Sequence, residues 1–562
     1  MPSYYYGIEM QDCNNVIVKN NRFEGLDIGI EQRAKGFAAL SPGSGEYYNS
    51  DFGNTNIKIL NNHFEDVNAR CINIGYGFAE NVLVSGNTMQ NGRFFCRATG
   101  QYMLTADAGS YYTLRTGKRT NNIVISNNII SNVVDSTVSA EYSGILVVED
   151  FIEGVSVFGN SINGVDAGTP ASGLPYLSIN HGPFKNGPKE IAVWDNTFFG
   201  NLTKTALRVL NDNSGNIDVL DISIKGNSIQ MDYKASGDTY GVFLESVNSG
   251  AIKTNKIDIS ENRFDFRNLV VGTGFSLASS NAGSNTNIVN ITFKNNVCHN
   301  AVINGYKTKY LTLVNNCSIA VPADFGVTPN ISLDGCDDTL IDNNYLSGGY
   351  NSINLINTDT AHITNNVMFN SYSNCINLGS GALDIDIEAN VIKRSCQNGI
   401  AIAIIKSVGL KTINVNNNTF EGNSLTGFYV YHNNSVDTEP DTFQNNFVSN
   451  VERAFLTGSV KIGYITNLFG VDHETSLDDD AEVEIAPGRA GWGFVQLGDG
   501  EEYGFISFKS DGTVTLIQNS ANTVNTDTDT KFCIYDKGTG IAIKNRLGST
   551  KRLAYSIKYI KL

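Results

Sequence analysis

Charge is scarce in this chain. Asp, Glu, Lys and Arg make up 17% of its 562 residues, against about 25% in an average soluble protein. Positive charge is in shorter supply still: 40 Lys and Arg stand against 56 Asp and Glu, a formal net charge of −16. With no basic patch to neutralise phosphates, the balance argues against a nucleic-acid partner. No hydrophobic run is long enough for a transmembrane helix, and the opening MPSYYYGIEMQDC has no signal-peptide anatomy, so membrane insertion is not expected. Paired cysteines are missing too. Nine cysteines lie scattered at 13, 71, 96, 298, 317, 336, 375, 396 and 533. None forms a CxxC or a zinc-spaced cluster with His, so reduced, buried thiols are expected, with no metal and no cofactor. The Walker loop, HExxH and the GxSxG elbow are absent, and the glycines of VVGTGF (270–275) precede no helix.

Apolar residues are not scarce, at 41%, so this is no disordered chain. Glycine (55 residues) and asparagine are plentiful. The Asn residues sit in one recurring phrase, a short apolar strand followed by Asn-Asn or Gly-Asn. Examples are NIKILNNHF (56–64), NNIVISNNII (121–130), DISIKGNSIQ (221–230) and TINVNNNTF (412–420). Anchored on its Asn, the phrase occurs fifteen times, at 21, 62, 87, 128, 160, 196, 227, 262, 296, 316, 344, 366, 390, 418 and 446. A second alternating strand follows most anchors, as in GILVVED (144–150), GVFLES (241–246) and GIAIAI (399–404). Alternation buries one face of each strand, and no stretch of period 3.6 intervenes. Two or three short strands per unit with no helix predict an all-β fold: a right-handed, single-stranded parallel β-helix over 1–470. Asn is expected at the corners because it tolerates the left-handed backbone there and can ladder its amide from coil to coil.

Four insertions interrupt the repeat, at 32–52, 93–120, 166–190 and 267–287, and function concentrates on such loops. The first three are aromatic, which suits the flat faces of sugar rings. Tyr111 and Tyr112 in the second are candidate substrate-binding residues.

Carboxylates carry the sharper signal. With alternate residues pointing inward, Arg208 and Asp212 of ALRVLND, Glu245 of GVFLES, Asn180 of YLSINHG and Asp150 of GILVVED are expected to point outward. Glu149 and His181 end their strands. These four strands belong to consecutive coils. A coil spacing of about 4.8 Å and a two-residue offset would set Asp212 and Glu245 roughly 8 Å apart. That falls within the ~6.5–9.5 Å at which two carboxyl groups hold a water and invert a glycosidic centre. Asp212 and Glu245 are therefore the expected acid–base pair, with Arg208 holding Asp212 ionised and Glu245 as the acid. Arg208, His181 and Asn180 are expected to contact substrate, and Glu149 and Asp150 are the next catalytic candidates.

The repeat fades near residue 450. The acidic stretch VDHETSLDDDAEVEIAPG (471–488) opens a different unit, and YGFISFKSDGTVTLIQNS (503–520) reads as a hairpin about Asp511-Gly512. A small antiparallel β module over 471–562 is expected, for trimerisation or carbohydrate binding. An Asn-laddered β-helix closed by a module ending GTGIAIKNRLGSTKRLAYSIKYI resembles the bacteriophage tailspikes that depolymerise capsular or O-antigen polysaccharide. The resemblance implies a homotrimer on the virion, at the phage tail, assembled in the host cytoplasm beside other tail proteins, with bacterial surface polysaccharide as its partner. Tailspikes usually begin with a particle-binding head; none is visible before Asn14, so a removed segment or another protein is expected to make that attachment. Endo-acting glycoside hydrolysis is the leading expectation. A polysaccharide lyase, with Arg208 or His181 serving elimination, and a non-catalytic receptor-binding spike are the alternatives.

Overall fold

The computed structural model describes the chain outside residues 1–4, 34–52, 76–77, 100–119, 134–143, 150–151, 165–174, 182–187, 201–204, 212–220, 232–239, 247–255, 267–272, 280–287, 321–328, 394–399, 407–412, 423–427, 435–441, 450–452, 458–463, 467–472, 486–488, 498–501, 539 and 560–562. Among the described residues there are strands and no helix. The chain divides into two compact units, Met1–Tyr345 and Leu346–Leu562.

In the first unit strands recur in threes. One coil comprises Leu177–His181, Lys189–Trp194 and Thr197–Gly200. The next comprises Thr205–Asn211, Asp221–Lys225 and Ser228–Met231. Each strand pairs in parallel with its counterpart one coil on, Leu177 opposite Leu207, Ile191 opposite Ile222 and Phe198 opposite Ile229. The chain is thus a parallel β-helix with three sheets as its faces. Strand alternation fills the interior: Ile179, Val193, Phe198, Ile224 and Ile229 are fully buried. Like residues meet like from coil to coil, as in the stacked pair Phe23 and Phe64 with ring centroids 5.0 Å apart.

The corner after the second strand divides its work between two residues. The left-handed backbone belongs to the residue before each anchor, not to the anchor itself. All fifteen preceding positions have positive φ, among them Asn61 (51°), Gly86 (68°), Asp195 (53°) and Ala389 (55°). A Cβ on Gly86 would lie 2.3 Å from Asn61 Oδ1, so glycine fits that corner by space as well as by φ. The anchors carry the ladder. Asn160 donates its backbone N–H (3.0 Å) and its Nδ2 (2.9 Å) to Oδ1 of Asn196 one coil on. The same Nδ2 reaches the carbonyl of Ile125 at 2.9 Å. Asn196 repeats the pattern onto Asn227. Every polar atom of the buried amide is satisfied, which is what permits it there.

The second unit holds further coils, such as Ile353–Ile356, Asp359–Thr364 and Val367–Phe369, and then changes character. Among the described residues its last coil strand is Tyr464–Thr466, and its first antiparallel strand is His473–Leu477. A five-stranded sheet packs Leu477, Val495, Leu497, Ile506, Phe508, Leu553 and Ile557 against Ile485, Phe532, Ile534, Ile541 and Ile543 of a four-stranded one. The hairpin is present: Phe508 pairs with Val514 across a turn in which Gly512 has φ 91° and Asp511 Oδ1 accepts from Thr513 N–H at 3.0 Å.

The described cysteines are free. Cys71, Cys96, Cys298, Cys336, Cys375 and Cys533 are buried, while Cys13 and Cys317 are half-buried. Burial pushes the Cys96 and Cys336 thiols up to about 12.

Candidate functional site

The outer face of the first sheet in unit Met1–Tyr345 differs from the usual exterior of a coil. Its outward positions follow from the inward ones. Leu177 and Ile179, Leu207 and Val209, and Val242 and Leu244 point in. Ser178 and Asn180, Arg208 and Leu210, and Phe243 and Glu245 therefore point out, in register from coil to coil. Several outward groups are polar yet buried: Glu31, Asn73, Arg97, Ser178 and Asn180 are all under 10% exposed. They are satisfied by one another. Arg70 Nη1 donates to Asn73 Oδ1 at 3.0 Å, Asn73 Nδ2 to Glu31 Oε1 at 3.2 Å, and Ser178 Oγ to Asn180 Oδ1 at 2.6 Å.

Among the described residues, the ion pairs Arg97–Glu149 and Arg208–Glu245 lie on this face. Arg97 donates through Nε to Glu149 Oε2 at 2.7 Å, and its Nη2 closes on the same oxygen. The two side chains are 6% and 12% exposed. Arg208 donates to Glu245 Oε2 through Nε at 3.0 Å and Nη2 at 2.6 Å, with exposures of 27% and 20%. The placement is the same both times. Arg97 lies opposite Val147 and Arg208 opposite Phe243, and each Glu lies two residues beyond that partner on the next coil. Among the described residues Glu245 Oε1 accepts no hydrogen bond. Beside the pair, Tyr240 and Phe243 stack with centroids 4.6 Å apart. A carboxylate with one oxygen clasped and one open, next to aromatic surface, can take a proton or orient a water while a sugar ring rests alongside.

The Arg208–Glu245 contact changes one expectation. Sequence reasoning set the guanidinium on Asp212 and made Glu245 the acid; the guanidinium sits on Glu245. Asp212 lies outside the described residues. Within the described strand, Leu210 lies opposite Glu245. Asn180 occupies an outward position, is 8% exposed and accepts a hydrogen bond from Ser178 Oγ. With Leu146 and Val148 buried inward, Glu149 takes the outward place, and the Arg97 pair holds it there. Asp150, Tyr111 and Tyr112 lie outside the described residues. His181 ends its strand opposite Asn211, and its side chain is likewise outside them.

Arg97 was missed by sequence reasoning. Its partner lies 52 residues on, and that of Arg208 lies 37 residues on. Aligning the strand cores coil by coil would have exposed the shared register, but insertions of unequal length hide it.

No family model and no curated protein matches the chain. Solved structures do. The chain is similar to the tailspike protein of E. coli bacteriophage HK620 in complex with pentasaccharide, at 10% identity over 98% of this chain and 82% of that one, with TM-score 0.43. It is also similar to the A-module of mannuronan C-5 epimerase AlgE6 of Azotobacter vinelandii, at 12% identity over 59% and 91%, TM-score 0.39. A third is the periplasmic alginate epimerase AlgG, at 8% identity over 71% and 76%, TM-score 0.33. At these identities the likeness is one of fold.

Proposed function

We propose that this protein binds and depolymerises a bacterial surface polysaccharide, capsular or O-antigen, by endo-acting glycoside hydrolysis. The outer face of the first sheet is its substrate floor. The observation that carries the reading is the partly exposed Arg208–Glu245 pair, set beside the Tyr240–Phe243 stack on a face where Glu31 and Arg97 are buried. Glu245 is assigned the role of base, activating a water through Oε1, and Arg208 orients it. Asp212 is assigned the role of acid, donating to the leaving oxygen. The reaction needs one carboxyl as general acid and one as general base.

The resemblance of the C-terminal stretch to tailspikes supports a homotrimer at the phage tail, with the module 471–562 serving assembly. Incubation with capsular or O-antigen polysaccharide tests the chemistry. New reducing ends are expected. Absorbance from an unsaturated uronate would make the protein a lyase, and binding without shortening would make it an adhesin.

A further inference from the structure

We propose that the corner Gly305–Tyr310 is a saccharide subsite for an uncharged pyranose unit; the inference rests on the polysaccharide-binding reading above. Two residues of this corner, Lys307 (φ 49°) and Tyr310 (φ 57°), hold the left-handed backbone. The same pair of positions, three apart, recurs as Gly335 and Asp338, Asn357 and Thr360, and Gly381 and Asp384. Gly, Asn, Asp and one β-branched residue, Thr360, fill them there, and none is aromatic. One coil earlier, the residue level with Tyr310 is Asn290 (φ 56°). A bulky aromatic in this conformation is strained. Packing does not offset the strain, because Tyr310 is 51% exposed. An exposed ring held in an unfavourable backbone state is the kind of outlier that points to a ligand.

The surroundings specify the ligand. Lys309 Nζ stands 5.0 Å from the Tyr310 ring centroid, and Lys307 Nζ stands 5.2 Å from that of Tyr306. The ammonium groups orient both rings. Tyr306 occupies an outward position of the first sheet. Glu245 lies opposite Ala278, and Leu277 opposite Gly305. Tyr306 therefore belongs to the same outward column as Glu245, two coils away, or about 10 Å. The rings offer flat apolar faces to a sugar, and the Lys and Asp groups offer donors and acceptors to its hydroxyls. Positive charge is not in surplus. Lys309 is paired with Asp338 at 3.2 Å, Asp334 lies opposite Tyr306, and Asp337 lies opposite Lys309. With two cations against three carboxylates, a sugar acid has no unmatched cation to meet, so the unit bound here is uncharged.

The test measures binding of the full chain to an array of purified bacterial capsular and O-antigen polysaccharides, with neutral and uronate-bearing arms, together with thermal unfolding. Wild type is expected to bind in the neutral arm. Tyr310→Asn, which suits the backbone but removes the ring, is expected to bind about tenfold more weakly, the worth of one stacked aromatic, and to melt higher. Tyr310→Phe is expected to keep wild-type binding. The proposal is overturned by wild-type binding confined to the uronate arm or absent from the array, by undiminished binding of Tyr310→Asn, or by a lower melting temperature for that variant, which would make the ring a packing group. Weakened binding by Tyr310→Asn alongside normal cleavage by Glu245→Gln would retain this subsite and refute the catalytic assignment. The reverse pair of results would do the opposite.

Discussion

Arg97–Glu149 and Arg208–Glu245 have the same register on the same sheet and differ in what surrounds them. The first pair is nearly enclosed and the second is partly exposed. Coulomb attraction is similar for both, so the contrast lies in desolvation. Removing one partner of an enclosed pair strands a charge without water, whereas the partner in a half-open pair rehydrates. One geometry therefore occurs in two settings, an enclosed pair and a partly exposed one.

Glu149→Ala gives the largest expected effect. Denaturant unfolding should show a loss of about 3–5 kcal/mol, the cost of an orphaned enclosed charge, while Glu245→Ala should cost at most about 1 kcal/mol. Equal losses would erase the contrast. Activity should run the other way. Glu245→Gln and Asp212→Asn should each lower the rate of polysaccharide cleavage by at least ~100-fold, about 2.7 kcal/mol of barrier, with the fold intact; rates near wild type for both would remove the catalytic assignment.

The corner ladder offers a milder comparison between adjacent residues. Asn196→Ala deprives two donors of Asn160 of their shared acceptor and should cost about 1–3 kcal/mol. Asp195→Asn, at the left-handed position beside it, should be neutral by the same unfolding measurement.

The last comparison concerns pH near the enclosed pair. Cys96, next to Arg97, is raised from its ordinary 9.0 to about 12 by burial, with the charge of Arg70 pulling the other way. Its folded value lies above its unfolded one. The stability linked to it is full below pH 9 and is lost as pH climbs from 9 toward 12, by up to about 1.4 kcal/mol per pH unit. Cys96→Ala should flatten the alkaline decline of stability by that amount per unit. An unchanged slope would show that the thiol does not resist ionisation.

Much of the fold was legible in the chain. The fifteen Asn anchors, the alternation in GVFLES and GIAIAI, and the Asp511-Gly512 hairpin each act within a few residues, and they describe the corners, the inward faces and the turn as found. The division of the corner into a left-handed residue and a laddering Asn was less visible, since Asn-Asn pairs such as 61–62 and 127–128 disguise two roles as one. Gly86-Asn87 and Asp195-Asn196 carry the cue, because only the second residue is constant. The site was legible in part. Alternation identified Arg208 and Glu245 as outward neighbours, but it could not tell which carboxylate the guanidinium would meet or that Asn180 would be covered.

The sequence by itself determined the parallel β-helix, its Asn corner and the antiparallel module, because period-2 alternation and turn chemistry are local and repeat often enough to outweigh any single exception. Only the tertiary structure decided that Arg97 has a partner 52 residues away, that Arg208 clasps Glu245, and that one pair is closed while the other is open. Those outcomes depend on coil-to-coil register and on burial, and insertions of unequal length between the strands remove both from any fixed spacing in the chain.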